Sequence, residues 1–312
     1  MRIGAIRPKA KALPAPAARR AALVAVLILC LAAPAALAGE SGRRLRARGR
    51  IAFVSNRDGD REIFTTRPNG RGLRKITRDR RQQLSPAWSP DGRSIVFRMR
   101  VGGDWEIFTA NSHGSDLTQL TDNSVRDGGP EWSPDGDRIV FHSRRDGDLD
   151  IYKMKVNGSL VKNLTHNNVP DAGPAWSVQD RIVFHSRRRG DFEILSMDNS
   201  GNDLRRLTRN RRDDYDSHWS PNGRSISFTR GQHRKAEIFV MRATGRRQRR
   251  LTNNRSHDGG AAWSPNGRRL VFSAARDGDY ELFVMSARGR RLRRLTRNRA
   301  RDQAPDWIGP RL

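Results

Sequence analysis

A tryptophan recurs along most of this chain at a nearly constant interval. Successive positions are 44, 44, 43, 44 and 44 residues apart, and they are Trp88, Trp132, Trp176, Trp219, Trp263 and Trp307. A glycine and a Leu-Thr or Ile-Thr pair recur in step with the tryptophan. A period of this length indicates a repeat architecture, in which one unit cannot bury its apolar face alone and must pack against its neighbours.

The apolar segments within each repeat are short and have the composition of strands. Ile95-Val96-Phe97, Ile139-Val140-Phe141 and Leu270-Val271-Phe272 are β-branched and aromatic, and turn residues bound them. No window after Gly39 shows a helical apolar stripe. Since four-stranded units of about 40–45 residues form propeller blades, the sequence predicts an all-β fold, a six-bladed β-propeller with four antiparallel strands per blade.

The turns and the chain ends support this prediction. Ser-Pro-Asp-Gly and Ser-Pro-Asn-Gly segments should join the innermost strand to the second strand, with glycine where a positive φ is needed. The fourth blade lacks this Pro-Asp-Gly, which accounts for the 43-residue step. Three strands from Ile51 to Thr77 and one strand from Ala304 to Ile308 are expected to complete one blade, closing the ring and removing its open edges.

The first 38 residues resemble an export signal rather than part of the repeats. Six basic residues and no acidic residue precede an apolar run from Ala21 to Leu31, and Ala36-Leu37-Ala38 matches a signal-peptidase site. We therefore predict a signal peptide over 1–38, a linker over 39–50 and the propeller over 51–312, with an uncleaved anchor as the alternative. After cleavage the chain would be periplasmic or extracellular, and it would lack Cys30 and any disulfide.

The motifs Pro-x-Trp-Ser-Pro-Asp-Gly, Ile-x-Phe and Leu-Thr together resemble the repeats of TolB-type, WD40-like propellers over residues 51–308. In that family a periplasmic propeller follows an α/β domain and binds the peptidoglycan-associated lipoprotein Pal. Here residues 39–50 leave no room for that domain before the first blade. The resemblance implies a noncatalytic, monomeric scaffold in the cell envelope without cofactors, which binds an envelope protein such as a Pal-like lipoprotein. Fold alone does not fix function.

An aspartate precedes five of the six tryptophans by five residues. The five are Asp127, Asp171, Asp214, Asp258 and Asp302, and Gln83 holds the sixth position. On the connections that enter the inner strands, they would form a ring near one mouth of the central channel and could bind a cation or a basic partner. The alternative is structural, with each aspartate capping the turn before its strand.

A second acidic residue recurs before the third strand of each repeat. Examples are Glu62, Glu106 and Glu193, and several repeats place an arginine such as Arg57 or Arg145 across the hairpin. We expect weak cross-strand ion pairs between them.

Several enzyme classes can be compared with the sequence. Propeller lyases that degrade pectate use clustered histidines and manganese, so a metal-dependent polysaccharide lyase is one alternative. His142 and His185 share a strand position, whereas His113, His166, His218, His233 and His257 do not, and no metal site is predicted. There is also no Gly-x-Ser-x-Gly nucleophile motif.

The net charge of +28 favours acidic partners. Arginine clusters precede the outermost strands of two blades, and the residues expected to bind a polyanion there are Arg249, Arg250, Arg290, Arg291, Arg293 and Arg294. The second functional hypothesis is therefore a rim that binds acidic cell-wall polymers with an affinity that falls steeply with salt. Nucleic acid is not expected as a partner of an exported protein.

Overall fold

The computed structural model describes residues 49–188, 190–232 and 235–308. The predicted signal peptide, and all of the predicted linker except Gly49 and Arg50, lie outside these residues. Within the described part no helix is long and apolar enough to cross a membrane.

Twenty-four strands form six antiparallel four-stranded sheets, which confirms the six-bladed β-propeller. We number the blades 1 to 6, and blade 1 consists of one strand from the C-terminal end and three from the N-terminal end. The innermost strands are β24 (Asp302–Trp307), β4 (Gln83–Trp88), β8 (Asp127–Trp132), β12 (Asp171–Trp176), β16 (Asp214–Trp219) and β20 (Asp258–Trp263). The second strands are β1 (Ile51–Asp58), β5 (Ser94–Val101), β9 (Arg138–Ser143), β13 (Arg181–Arg188), β17 (Ser225–Arg230) and β21 (Arg269–Ala274).

The outer half of each blade is a longer strand followed by a very short one. The third strands are β2 (Asp60–Thr66), β6 (Asp104–Asn111), β10 (Asp150–Lys155), β14 (Asp191–Asp198), β18 (Glu237–Arg242) and β22 (Glu281–Ser286). The outermost strands have two residues each, and they are β3 (Arg74–Lys75), β7 (Thr118–Gln119), β11 (Lys162–Asn163), β15 (Arg205–Arg206), β19 (Arg249–Arg250) and β23 (Arg293–Arg294).

The last strand closes the ring as expected, with a shifted start. β24 pairs with β1 in antiparallel register, and Ile51 lies opposite Trp307. The strand spans Asp302–Trp307 rather than the predicted 304–308, because the recurring aspartate is the first paired residue of this strand and lies opposite Ser55.

Every inner strand contains a bulge at its third residue. The register with the second strand shifts there, and the third residue has a positive φ of 48–61° in all six blades. These residues are Ser85, Gly129, Gly173, Asp216, Gly260 and Ala304. Because only three of them are glycine, the bulge is imposed by the sheet rather than by glycine alone.

The core lies between the blades. The phenylalanine of each second strand is fully buried, and in five blades its ring packs on an aromatic side chain of the third strand, as with Phe97 and Phe108 at 6.3 Å between centroids. In blade 4, Phe184 lies opposite Leu195 instead. Each apolar cluster combines neighbouring blades, so that Ala52 and Ile63 of blade 1 pack with Trp88 and Phe97 of blade 2. One blade therefore completes the core of the next, as the repeat predicts.

The recurring glycine and Leu-Thr pair meet at the junction of adjacent blades. The threonine hydroxyl oxygen accepts a bond from the third-strand backbone of its own blade, as from Ile238 N to Thr252 at 3.0 Å. The preceding leucine carbonyl lies against the glycine turn of the following blade. A β-carbon on Gly289 would lie 2.8 Å from the Leu251 carbonyl oxygen.

We expect Gly289→Ala to destabilise the fold more than Gly278→Ala. Both glycines have a positive φ, at 76° and 98°, so both substitutions carry a backbone penalty, which is no smaller at Gly278. A β-carbon on Gly278 meets nothing within 4 Å, whereas one on Gly289 would overlap the neighbouring blade. The extra cost should be about 1–3 kcal/mol. Equal unfolding free energies in urea for the two variants would contradict this packing.

Candidate functional site

The five recurring aspartates are buried at the start of the inner strands. Asp127, Asp171, Asp214, Asp258 and Asp302 have no exposed surface, and each accepts a bond from the side-chain amide of an asparagine four residues earlier. These asparagines are Asn123, Asn167, Asn210, Asn254 and Asn298. Gln83 has the same position in blade 2 and accepts a bond from Thr77.

Four of the aspartates also form ion pairs with arginines that lie near the end of the second strand or just after it. The pairs are Arg57–Asp302 at 2.9 Å, Arg145–Asp127 at 3.0 Å, Arg230–Asp214 at 2.6 Å and Arg276–Asp258 at 2.7 Å. Burial raises the pKa of Asp171, Asp214 and Asp258. Because each aspartate is hydrogen-bonded or ion-paired to residues of its own or the adjoining loop, the recurrence has a structural explanation. A binding role for this ring stays a prediction.

The expected partners of the second recurring acidic residue were wrong. Arg57 and Arg145 pair with the buried aspartates, whereas Glu193 pairs with Arg206 of the outermost strand at 2.8 Å. Glu62, Glu237 and Glu281 make the same connection to Lys75, Arg250 and Arg294. The acidic side chains point outward along the blade, where the threonine hydroxyl and the outermost strand enclose them.

The predicted arginine rim divides into three kinds of position. Arg249–Arg250 and Arg293–Arg294 form the outermost strands themselves rather than preceding them. Arg250 and Arg294 bind glutamates of their own blades. Arg249 donates to the carbonyl oxygens of Ala287 and Arg288, and Arg293 donates to those of Pro68 and Asn69, so both connect adjacent blades. Arg290 and Arg291 are exposed in the turn.

The central channel opens on one side into a cavity of 370 Å³. All six bulge residues line it, and so do the residues that follow the buried phenylalanine in several second strands. Opposite this entrance, five of the six tryptophans and several of the Ser-Pro turns line a second cavity of 150 Å³. Both cavities are formed by all the blades together and not by one repeat.

Arg98 of blade 2 lies in the larger cavity without an acidic partner. Its guanidinium stacks on Trp105 with 4.7 Å from the central carbon to the ring, and its Nε is buried without a hydrogen bond. Burial, together with Arg126 and Arg61, lowers its pKa to about 10. In the described ranges this is a partly buried cation whose charge no carboxylate balances.

Asp216 lies at the bulge of blade 5 and lines the same cavity. Burial raises the pKa of its carboxyl to about 6. Next to it, the Tyr215 hydroxyl is 3.2 Å from His257 Nε2, and the His257 ring makes an edge contact with Tyr280. Because burial lowers the pKa of His257, this wall is uncharged at neutral pH apart from Asp216.

A ring of side chains lies between the two cavities. The fifth residues of the inner strands alternate around it, so that Asp306, Glu131 and His218 are interspersed with Ala87, Ala175 and Ala262. Asp306 accepts bonds from the backbone N–H groups of Trp88 and Trp307. Burial lowers the pKa of His218, which is therefore a neutral imidazole.

The histidines have individual structural environments. His142 Nδ1 accepts a 3.3 Å bond from the Gly173 backbone in the next blade, and burial holds its pKa well below the usual range. Burial also lowers the pKa of His185 to about 4. His233 lies outside the described residues. Within 49–188, 190–232 and 235–308, no three histidine, cysteine or acidic side chains are grouped so that they could hold a metal ion.

Sequence reasoning missed Arg98 and Asp216 because it followed the residues that recur. The sequence signal for both residues is that they differ in chemical type from the residues at the same position of the other repeats. Arg98 replaces an uncharged or imidazole side chain after the phenylalanine, and Asp216 replaces a small residue three positions before the tryptophan. Both exceptions become visible once the repeats are aligned on the tryptophan.

Comparison with known proteins gives the family. The family model described as the TolB beta propeller domain matches residues 46–258 and 217–310. The Tol-Pal system protein TolB of Nitratidesulfovibrio vulgaris is 46% identical over 59 residues, which is 18% of this chain and 13% of that protein. The matched part is thus a small fraction of that relative.

Solved structures agree on the fold. TolB from Acinetobacter baumannii has a TM-score of 0.73 at 22% identity, covering 84% of this chain and 67% of that chain. Oligogalacturonate lyase from Vibrio parahaemolyticus has a TM-score of 0.56 at 12% identity, covering 80% and 74%. At such low identities the two structures share the propeller and nothing more specific. The match of the family model over most of the chain identifies it as a member of the TolB β-propeller domain family.

Proposed function

We propose that this chain is an exported, noncatalytic propeller that binds an envelope protein on the face around the channel entrance. The observation that carries the proposal is the cavity of 370 Å³, where Arg98 and Asp216 have no charged partner among the described residues, on a surface formed by all six blades. Such unpaired groups on a rigid surface suit recognition of a complementary partner.

The family supports this assignment. Its relatives include proteins named for the Tol-Pal system, and a Pal-like lipoprotein is therefore the first partner to test. The alternative of a metal-dependent lyase has less support, because His142 and His185 have structural surroundings and the described residues contain no group suited to a metal ion.

Binding of an acidic cell-wall polymer is the second candidate. The exposed turns of blades 5 and 6 favour it, because Arg246, Arg247, Arg290 and Arg291 extend into solvent. The neighbouring Arg250 and Arg294 are less suited to this role since glutamates already neutralise them.

Retention of partners at low and high salt tests both candidates. The immobilised protein is incubated with a purified Pal-like lipoprotein and separately with an acidic wall polymer. We expect the lipoprotein to stay bound at both salt concentrations. Polymer binding should fall steeply with salt, and it should weaken in a variant with Arg246, Arg247, Arg290 and Arg291 replaced by glutamine. Loss of the lipoprotein at both concentrations would contradict the first proposal, and polymer binding unchanged in the variant would contradict the second.

A further inference from the structure

Two charged side chains without charged partners lie on opposite walls of the channel entrance. Arg98 belongs to blade 2 and Asp216 to blade 5, and both line the cavity of 370 Å³. The inner strands contact one another in the order of the blades and return from blade 6 to blade 1. Blades 2 and 5 are therefore three steps apart in a ring of six, which places the two charges across the channel from each other.

Arg98 differs from the other arginines next to the inner strands. Arg57, Arg145, Arg230 and Arg276 each bind one of the buried aspartates. Arg98 has no such carboxylate within the described residues, and Arg61 and Arg126 add positive charge near it. A partly buried cation without a counter-ion is unfavourable, so an incoming anion would gain a strong charge-assisted hydrogen bond.

Asp216 has the complementary property. Its side chain makes no hydrogen bond or ion pair in the described chain, and its backbone has a φ of 48° in the bulge, which directs the residue into the channel wall. All five other bulge positions carry glycine, alanine or serine. A carboxylate at this position therefore meets no structural need of the repeat.

We propose that the channel entrance binds a small zwitterion, whose carboxylate pairs with Arg98 and whose ammonium group pairs with Asp216. Between the two charges lie the uncharged Gly129, Gly173, Pro130 and Pro174, and Glu131 lies where this cavity meets the smaller one. This site lies in the same cavity as the protein binding proposed above, but small ligands can be tested there without a protein partner.

Other small ligands satisfy fewer of these groups. A monocarboxylate would pair with Arg98 and leave Asp216 desolvated, and an amine would do the reverse. A polyanion would bring negative charge towards Asp216, Glu131 and Asp306. A zwitterion is the ligand class that supplies a counter-charge to both Arg98 and Asp216.

Calorimetry with ω-amino acids of increasing length tests this site on the full chain. The probes are 4-aminobutanoate, 6-aminohexanoate and 8-aminooctanoate, with hexanoate and hexylamine as single-charge analogues. We expect one chain length to bind best, because the separation of the charges must match that of Arg98 and Asp216. R98Q and D216N should each weaken this binding about tenfold, which corresponds to about 1.4 kcal/mol. Arg93→Gln, an exposed position on a turn of blade 2, is the matched control and should bind as wild type.

The dependence on pH gives a second readout. Asp216 loses its charge below about pH 6, so affinity for the best ω-amino acid should fall between pH 7 and pH 5. Affinity for hexanoate should fall less, because only the protonation of its own carboxylate weakens the pair with Arg98. His218 and His257 face Asp216, but burial lowers the pKa of both, and burial raises the pKa of Tyr215, which stays neutral in this range.

Three results would overturn the proposal: no measurable binding by any ω-amino acid, equal binding by hexanoate and 6-aminohexanoate, or unchanged binding in the folded R98Q and D216N variants. Thermal unfolding checks that each variant is folded. Should R98Q fail to fold, R98K retains the charge and the comparison of single-charge analogues on the wild type still decides.

Discussion

A chain that ends at Arg301 is expected to lose its cooperative fold. It lacks β24, which supplies the inner strand of blade 1 and contacts the inner strands of blades 2 and 6. The deletion removes the Arg57–Asp302 ion pair, the bond from Trp88 N to Asp306, and the burial of Trp307 against Ile51 and Phe53. Since domains of this kind are stable by about 5–15 kcal/mol, these combined losses should leave little folded protein. Thermal unfolding followed by circular dichroism measures the effect.

The control is a chain that ends at Ile308, which retains β24 and should unfold as the full chain does. A peptide of residues 302–312 added to the shortened chain should restore part of the transition by pairing with β1. The same peptide with Trp307→Ala should fail, because the tryptophan side chain fills the blade core. Cooperative unfolding at the wild-type temperature by the shortened chain would contradict ring closure as the source of stability.

Glu193→Gln is expected to destabilise the protein by about 2–4 kcal/mol. The Glu193 side chain is fully buried and pairs with Arg206 at 2.8 Å, and it also accepts bonds from the Thr208 hydroxyl and the Asn210 backbone. The glutamine retains the shape but leaves the guanidinium without its counter-ion, and breaking one side of a buried pair is costly. Urea unfolding of the two proteins gives the difference in free energy.

Glu106→Gln is the matched control, because blade 2 has Gln119 in place of the basic residue. Burial raises the pKa of Glu106, so ionising this carboxyl at neutral pH already opposes folding. The neutral substitution should therefore change stability by less than about 1 kcal/mol. If Glu106→Gln were as destabilising as Glu193→Gln, the ion pair with the outermost strand would not be the cause.

The fold could be predicted because its determinants repeat at fixed spacing. The tryptophan strand, the Leu-Thr pair and the glycine turn each occur six times, and the structure explains each by a contact within or between blades. The loss of the Pro-Asp-Gly turn in blade 4 was also predicted correctly. Asp180 takes the place that glycine has in the turns of the other blades, with a φ of 57°.

The partners of the charged residues could not be predicted in the same way. Arg57 lies near Glu62 in the hairpin, but its guanidinium bonds to Asp302, which is 245 positions away in the sequence. Spacing along one repeat says nothing about which of two nearby carboxylates an arginine reaches. The charged residues of the channel were missed for a related reason, because Arg98 and Asp216 face the same cavity only once the ring of blades has closed.

The bulge residues of the inner strands line the channel, whereas other residues form the cores that stabilise the blades. The backbone of the bulge accepts serine, aspartate and alanine as well as glycine, and the side chain at this position contributes little to the apolar clusters. Positions 85, 216, 260 and 304 can therefore be exchanged individually while the cores between blades stay intact. A β-carbon on Gly129 or Gly173 would instead lie 2.8 or 2.7 Å from the ring of His142 or His185. A propeller of this kind can acquire a new ligand preference through substitutions in four of its blades, and a combinatorial library at these four positions is a direct route to binders with altered selectivity.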